Sequence, residues 1–356
     1  MNVQSSLAGL MVEEADLSDL NAAAAIDAFV ADHEAATLFH RAGWSRAVER
    51  GCRQRARYLV ARSSGGRIVG LLPLTEIRSI LFGNALVSTG FGVDGGIIAS
   101  TPAAEEVLVQ AAEALANRLG LATIELRGGM APRGWTKVSG RHAGFSKPLP
   151  SDAEEVLGTI PRKQRAEVRK ALSSGLSMAV ARDDAALATF YDVYAESVRN
   201  LGTPVFPRPL FTAMRDEFGS ECDILTVRQG SVALASVMTF YFKGTAMPFW
   251  GGGRLAARST RANEALYYAL MRHAVGRGCT RFDFGRSKVG TGAYAHKKNW
   301  GFEPQPLSYA VRTLSGEAPR EINPLDPRYA ARIRLWQRLP LWASKIVGPP
   351  IARGLG

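Results

Sequence analysis

The segment Arg281-Phe282-Asp283-Phe284-Gly285-Arg286-Ser287-Lys288-Val289-Gly290-Thr291-Gly292-Ala293-Tyr294 gathers groups that proton-transfer chemistry needs. Asp283 stands between two phenylalanines near the end of an apolar strand. Alternation along a strand puts Asp283 on one sheet face and both phenylalanines on the other. A carboxylate there is partly desolvated unless paired, and Arg281, Arg286 and Lys288 are the neighbouring cations. Residues 285–294 then read as a glycine-rich cationic loop that ends in the phenol of Tyr294. The competing reading is a structural ion pair that shapes a turn. The concentration of acid, cations and phenol in one short stretch favours a site.

Three further groups could bind rather than react. In His296-Lys297-Lys298-Asn299-Trp300-Gly301-Phe302, two lysines beside an indole suit a phosphate or carboxylate, although a Lys-Lys pair by itself is usually a solvated face. Gly251-Gly252-Gly253-Arg254 and Arg258-Ser259-Thr260-Arg261-Ala262-Asn263 stand directly before a helix, where free N–H groups and arginines favour a phosphate. The glycine order is neither a Walker loop nor a dinucleotide fingerprint, and the plain alternative is an N-cap by Ser259 or Thr260. Tyr194-Ala195-Glu196-Ser197-Val198-Arg199-Asn200 closes a helix, so Tyr194 and Arg199 either line a cleft or sit on a solvated helix end. His40 and His273 read as structural. No Ser-His-Asp order or nucleophile elbow is present, which disfavours hydrolase chemistry.

The elements that position these groups occur twice. Strands over 57–61 and 67–75, a strand near 84–89, the pair Gly95-Gly96, a helix over 102–118 and a strand over 122–126 make the first set. Strands over 223–227, 232–242 and 246–250, the run 251–253, a helix over 261–277 and a strand over 280–284 make the second. From Gly96 to Glu125 is 29 residues, and from Gly253 to Asp283 is 30. The order and near-equal spacing predict a duplicated α/β unit. Helices are also expected within 152–172, over 184–200 and over 211–218.

A length of 356 residues suits two domains, here residues 1–150 and 151–326, followed by a tail, 327–356. The tail holds Arg328, Arg332, Arg334, Arg338, Lys345 and Arg353, has no acidic residue, and alternates these cations with apolar residues on either side of Pro340. That is the pattern of a basic amphipathic segment on an anionic membrane surface, or of a tail packed on the domain with arginines reaching outward. The net charge of +12 implies an anionic partner: a phosphorylated cofactor, a nucleic acid or a membrane. Three scattered cysteines and an acidic N-terminal stretch are expected of a cytoplasmic chain without a signal peptide, and no apolar run is long enough to span a bilayer.

The motif FDFGRSxxGTGxY at 282–294, followed by KKNWGFEP at 297–304, resembles the Fem-type branch of the GNAT superfamily. It is most similar to the FemAB-like proteins found beside exosortase and PEP-CTERM sorting systems. LFGNALVS at 81–88, PRKQR at 161–165, YAESVRNLGTPVF at 194–206 and RLWQRLP at 334–340 match as well, so the resemblance runs from Phe39 onward. It implies two tandem GNAT folds and transfer of an acyl group to a primary amine without a permanently bound cofactor. Fem-type enzymes proper take the acyl group from aminoacyl-tRNA, and this chain lacks the helical insertion that some of them carry. Other superfamily members use acyl-CoA, and some bacterial ones are thought to N-acylate long-chain amino alcohols to form ceramides. Under the resemblance, Asp283 is the base and Tyr294 the proton donor to the leaving thiolate. Arg258, Ser259, Thr260, Arg261 and Asn263 hold the diphosphate of acyl-CoA, while Arg286, Lys288 and Lys298 hold an anionic part of donor or acceptor. Phe206, Phe211, Met247, Phe249 and Trp250 line an acyl channel unless they are simply core. The acceptor is then a membrane-associated amine, with the tail on the inner-membrane surface. The other readings are an aminoacyl-tRNA-dependent transferase acting on envelope or exopolysaccharide precursors, and a non-catalytic GNAT-like assembly protein.

Overall fold

The computed structural model describes residues 9–314 and 327–356, with side chains from residue 330 onward in the second stretch. These residues pack as two compact units. One holds the described residues as far as Ser139, those from Leu307 to Leu314, and Pro350–Gly356; the other holds Gly140–Pro306 and residues 327–349. In chain order the first unit begins with β1 (Met11–Ala15), α1 (Leu20–Asp32), α2 (Ala42–Cys52), β2 (Arg55–Arg62) and β3 (Ile68–Ile77). It continues with β4 (Ala85–Ser88), β5 (Ile98–Ala99), α3 (Pro102–Leu119) and β6 (Thr123–Arg127). Then come β7 (Thr136–Pro148), α4 (Arg162–Leu172), β8 (Leu176–Ala181), α5 (Asp184–Leu201), α6 (Arg208–Phe218), β9 (Cys222–Gln229) and β10 (Val232–Phe242). Next are β11 (Thr245–Gly253), α7 (Ala257–Thr260), α8 (Ala262–Gly276), β12 (Arg281–Asp283), β13 (Ser287–Lys288) and α9 (Gly292–Asn299). The chain closes with β14 (Pro304–Thr313), α10 (Pro327–Gln337) and α11 (Leu341–Ala352).

The main strands of the two units follow the same plan. In the first, the order is β1-β2-β3-β4-β6-β14, antiparallel throughout except for the parallel pair β4–β6. In the second, it is β8-β9-β10-β11-β12-β7, antiparallel except for the parallel pair β11–β12. The parallel pair in each case spans the crossover helix, α3 or α8, as parallel pairing requires. This is the duplicated mixed-sheet architecture that the spacing predicts.

The sixth strand of each sheet is where the sequence-based boundaries and the structure part. β7 follows β6 in the chain but pairs with β12, Asp283 lying opposite Ser146. β14 follows the second unit but pairs with β6, Val311 opposite Glu125. A cut at residue 150 therefore leaves β7 with the wrong sheet, and a second domain running to 326 takes β14 from the first. Pattern alone does not show this, because a strand's hydrophobicity does not name its partner.

Local signals explain the helices that matter. Thr101 caps α3 through its side chain, a proline follows it, and Gly120 ends the helix at φ 65°. The α3 face bearing Val107, Leu108, Ala111, Ala112 and Leu115 is buried in the first core. Asp183 caps α5, and Gly202 ends it at φ 80°. α8 buries Ala265, Leu266, Leu270, Met271 and Ala274 in the second core, together with Phe282, Phe284, Trp300 and Phe302. Fully burying each such aromatic is worth roughly 1.5–3 kcal/mol, and this fixes β12 and α9 as one block.

The C-terminal segment forms two helices on either side of Pro340. It is tied to α5: a Cβ on Gly202 would meet Ile333, Gln337 donates to the Asn200 carbonyl at 3.1 Å, and Lys345 pairs with Asp192 at 2.6 Å. The residues between Leu314 and Pro327 lie outside the described chain. Among the described residues no helix is long and apolar enough to cross a membrane.

Candidate active site

The site is built around a fork in the second sheet. β11 and β12 are parallel and in register over only Thr245↔Arg281 and Ala246↔Phe282. β11 then runs on to Gly253 beside β10, while β12 ends at Asp283 beside β7. Past Ala246 the two strands part, so the β12-facing edge of Met247–Gly253 carries backbone groups without a strand partner among the described residues. Such an edge can hold a ligand's amide groups or a developing oxyanion.

Asp283 closes the fork. Phe282 and Phe284 are buried with ring centroids 5.1 Å apart, and Asp283 points the other way, as alternation requires. Its Oδ1 accepts the Gly285 N–H at 2.7 Å. Burial raises the carboxyl above its ordinary range, against the pull of the Gly285 N–H and of the charges on Lys297 and Arg281. The largest cationic influence on it is thus Lys297, ahead of Arg281.

Lys297 reaches inward from α9. Its Nζ donates to the carbonyls of Gly285 and Arg286, each at 3.1 Å, and lies 5.4 Å from the centre of the Phe145 ring. Burial lowers it to about 8, although the Asp283 charge opposes that shift. Tyr294, one helical turn earlier, lies edge-on to Phe145 at 5.2 Å, and its N–H bonds the Thr291 hydroxyl. Lys298 is exposed on the outer side of α9. Of the lysine pair, the structure therefore brings Lys297 to Asp283, not Lys298. The signal was in the sequence, since Tyr294 and Lys297 are three apart and share a helix face.

His296 is packed among Tyr267, Trp300 and Phe284, with ring centroids at 5.8, 6.3 and 6.5 Å, and burial lowers its affinity for a proton. Arg286 and Lys288 are half-buried on the loop and on β13, which pairs with β7 through Lys288 and His142. Ser287 is buried with an unpartnered hydroxyl, a polar atom that sequence reading treated only as part of the loop.

At the far end of β11, neither Ser259 nor Thr260 caps α8. Both hydroxyls bond back to the Ala256 carbonyl, at 3.0 and 3.3 Å, and α8 has Arg261, φ 57°, at its N-cap position without a side-chain cap. An uncapped helix start with the exposed Arg258 beside it suits a phosphate. Arg261 is already ion-paired to Glu167 of α4, whose carboxyl Lys170 and Arg261 hold down to about 2. Asn263 packs on Gly253, where a Cβ would lie 2.6 Å from its Oδ1. A Cβ on Gly252 would lie 2.2 Å from the Ser197 hydroxyl, so this strand and α5 meet almost backbone to side chain.

The remaining expected residues fall elsewhere in the unit. Tyr194 stacks on Phe190 at 5.6 Å and meets Phe211 edge-on at 5.3 Å. Trp250 is buried against Phe249, Phe211 and Phe206. These rings pack on each other as core does. Arg199 donates to the Leu339 carbonyl at 3.0 Å, which places it against the C-terminal helices. All three cysteines are buried, and burial raises every thiol. None has the depressed pKa of a nucleophile.

The end of the first unit's parallel pair, β4–β6, is built differently. Arg127, at the end of β6, is buried and donates to the carbonyls of Thr89 and Gly92 at 3.3 and 3.1 Å while pairing with Glu125 at 2.7 Å. A Cβ on Gly96 would lie 2.3 Å from the Gly128 carbonyl. An arginine and close-packed glycines thus occupy the end of the first parallel pair.

A family model described as an acetyltransferase (GNAT) domain matches residues 162–298. No curated protein matches the sequence. Among solved structures, FemX superposes with a TM-score of 0.63 at 15% identity, covering 83% of this chain and 96% of that one. A tandem GNAT protein from the clavulanic acid biosynthesis pathway gives 0.53 at 13% identity, covering 87% of this chain and 100% of that one. The N-myristoyltransferase of Saccharomyces cerevisiae, solved with bound myristoyl-CoA, gives 0.54 at 8% identity, covering 91% and 83%. At such identities the likeness is one of fold. The forked parallel pair and its crossover helix, α8, lie within the span that the GNAT-domain model matches, and the chain has an α/β fold of two GNAT-like halves.

Proposed function

We propose that the chain is an N-acyltransferase that moves a long acyl group from acyl-CoA to the primary amine of a membrane-associated acceptor, a sphingoid base among the candidates, at the inner-membrane surface. The observation that carries this reading is the fork itself: Asp283 and Lys297 stand at one end of an unpaired strand edge, and an uncapped helix start stands at the other. The edge matches the extended, amide-bearing arm of a thioester donor, and the helix start matches its diphosphate. Arg258, Arg261, Ser259, Thr260 and Asn263 border that end.

Chemistry follows from these places. The neutral amine attacks the thioester carbonyl carbon, forming the C–N bond. Asp283, directly or through one water, takes the amine proton, and its raised pKa suits a base. Backbone N–H groups of the open β11 edge hold the oxyanion. The C–S bond breaks, and Tyr294 protonates the departing thiolate. Arg286, Lys288 and Lys298 attract anionic parts of donor or acceptor. No acyl-enzyme is needed, which agrees with the inert cysteines. In this reading the second half is catalytic, the first is structural, and the C-terminal helices lie on the membrane.

A second donor, aminoacyl-tRNA, is favoured by the net charge of +12. Release of free CoA from a long-chain acyl-CoA in the presence of an added long-chain amine tests the first reading. No release, together with salt-sensitive tRNA binding, would replace it with the second. An intact Asp283→Asn protein with undiminished transfer by either donor would remove Asp283 from the mechanism.

A further inference from the structure

α4 carries a set of charges that the catalytic reading does not use. Helical phase puts Gln164, Val168 and Ala171 on one side, and these are its buried residues. The opposite side presents Arg162, Lys163, Ala166, Arg169 and Lys170, all exposed. A pair of cations stands at each end of this face, the pairs about 10 Å apart along the axis, with the small Ala166 between them. Arg165 turns away and donates to the carbonyls of Gly158 and Ile160, at 2.8 and 2.9 Å. Glu167 is the sole acid of the helix, and Lys170 and Arg261 share it. Among the described residues, Arg162, Lys163 and Arg169 have no ion pair.

Two features separate this face from an ordinary solvated one. Cations at a helix N-terminus oppose the helix dipole, yet Arg162 and Lys163 open α4 and its first turn holds no acid. Their placement weakens the helix, so local stability does not explain them. The helix also lies beside the proposed donor site. Pro161 packs on Gly301, where a Cβ would lie 2.9 Å from the Pro161 Cγ, and Glu167 pairs with Arg261 at the N-cap of α8. α4 therefore runs from the end of α9 toward the start of α8, and Arg169 and Lys170 stand less than one turn beyond Glu167. The acids before α4 belong to the other end of α8: Glu154 pairs with Arg272, about 16 Å along that helix from Arg261.

We propose that the outer face of α4 docks an acidic carrier protein that presents the acyl group on a phosphopantetheine arm. The proposal rests on the thioester-to-amine reading above and specifies its donor. Acyl-CoA contains the same arm, so it serves as a donor without the protein contact. On a carrier the arm joins the protein through one phosphodiester, and seating that phosphate at the α8 start brings the carrier's surface to α4. A carrier helix with carboxylates on one face, spaced by one and two turns, matches cation pairs about 10 Å apart. Ala166 lets such a helix approach to the roughly 8–10 Å between axes of packed helices. An unpaired tRNA end fits less well, since α4 offers no aromatic side chain for a base to stack on.

The test is binding of a fluorescently labelled acyl carrier protein of fatty-acid synthesis to the full chain, read by anisotropy. Transfer to a long-chain amine is measured beside it, from palmitoyl-carrier protein and from palmitoyl-CoA. The native chain is expected to bind the carrier with an affinity that falls as salt rises. The double variant Arg162→Glu, Lys163→Glu should keep or raise its melting temperature, because acids suit a helix start. Its carrier affinity should fall roughly tenfold or more, and its kcat/KM with palmitoyl-carrier protein in step, while kcat/KM with palmitoyl-CoA stays within about twofold. Arg162→Gln, Lys163→Gln should lose less in the same direction. Undiminished carrier binding by the Glu variant, or a native chain that does not bind the carrier, overturns the proposal. An equal loss with palmitoyl-CoA would assign the face to the nucleotide's phosphates and overturns it too, as does tRNA binding that the variant loses while carrier binding persists. The acyl-transfer reading fails separately: no transfer from either donor by a chain that still binds the carrier would sink that reading and leave the docking face standing.

Discussion

Asp283 and Lys297 hold the same residue from two sides: the carboxylate accepts the Gly285 N–H at 2.7 Å, and the ammonium donates to the Gly285 carbonyl at 3.1 Å. Gly285 itself sits at φ 67°, a conformation that other residues rarely adopt. The acid and the amine are thus coupled through one fixed peptide segment as well as through charge. Both pay for burial, which raises the Asp283 pKa and lowers that of Lys297.

Asp283→Asn is expected to reduce transfer about a hundredfold or more, the usual scale for a general base. Stability should hold or rise near neutral pH. The folded carboxyl has a raised pKa, so the folded state binds more protons than the unfolded one just above the unfolded value of 3.8, and native stability falls as pH climbs through that window. Asparagine removes that dependence. Steady-state rates and melting curves at several pH values check both statements.

Lys297→Met should move the acid limb of the pH–rate profile upward. Without the neighbouring charge, the Asp283 carboxyl holds its proton more tightly. The native chain should also gain stability as pH rises from about 8 toward the unfolded lysine value of 10.5, because folding there favours the neutral amine. Denaturation at pH 8 and above, native against Lys297→Met, should show that gain only in the native chain.

Gly252→Ala should destabilise by about 1–3 kcal/mol, the range for overpacking. Its Cβ would lie 2.2 Å from the Ser197 hydroxyl and 2.5 Å from the Ser197 Cβ. Adding Ser197→Gly should recover part of the loss, less the helix cost of glycine. Urea midpoints of the single and double variants measure the recovery.

Residues 1–139 expressed alone should fail to fold cooperatively. That fragment lacks β14, which lines up Tyr309–Thr313 against Thr123–Arg127 and contributes the buried Ala310 and Val311. An uncovered β6 edge also invites aggregation. Joining residues 304–314 to the fragment through a flexible linker should restore a single thermal transition. A sharp transition without them would show that β14 is dispensable.

Much of the site could be read along the chain because its parts are local. Asp283, its flanking phenylalanines and the cationic loop lie in one stretch, and strand alternation assigns their faces. The two-copy plan was equally plain, since spacing between glycines and strand acids survives as a linear signal. Lys297 was separable from Lys298 only by helix phase, which a Lys-Lys pair leaves open until the helix is placed against Phe145. Arg199 and Arg261 looked like free cations, because their partners, the Leu339 carbonyl and Glu167, are 140 and 94 residues away.

The sequence by itself determined which local elements form and where an acid meets a glycine loop. Propensity, capping and periodicity act over a few residues, and all are written in the chain. Only the tertiary structure decided that β7 completes the second sheet and β14 the first. It alone opened β11 and β12 into a fork, and it alone placed Arg127 at the end of the first parallel pair. Those outcomes depend on which strand edge finds which partner at long range, a choice made by complementary packing and backbone hydrogen bonding rather than by any residue's own preference.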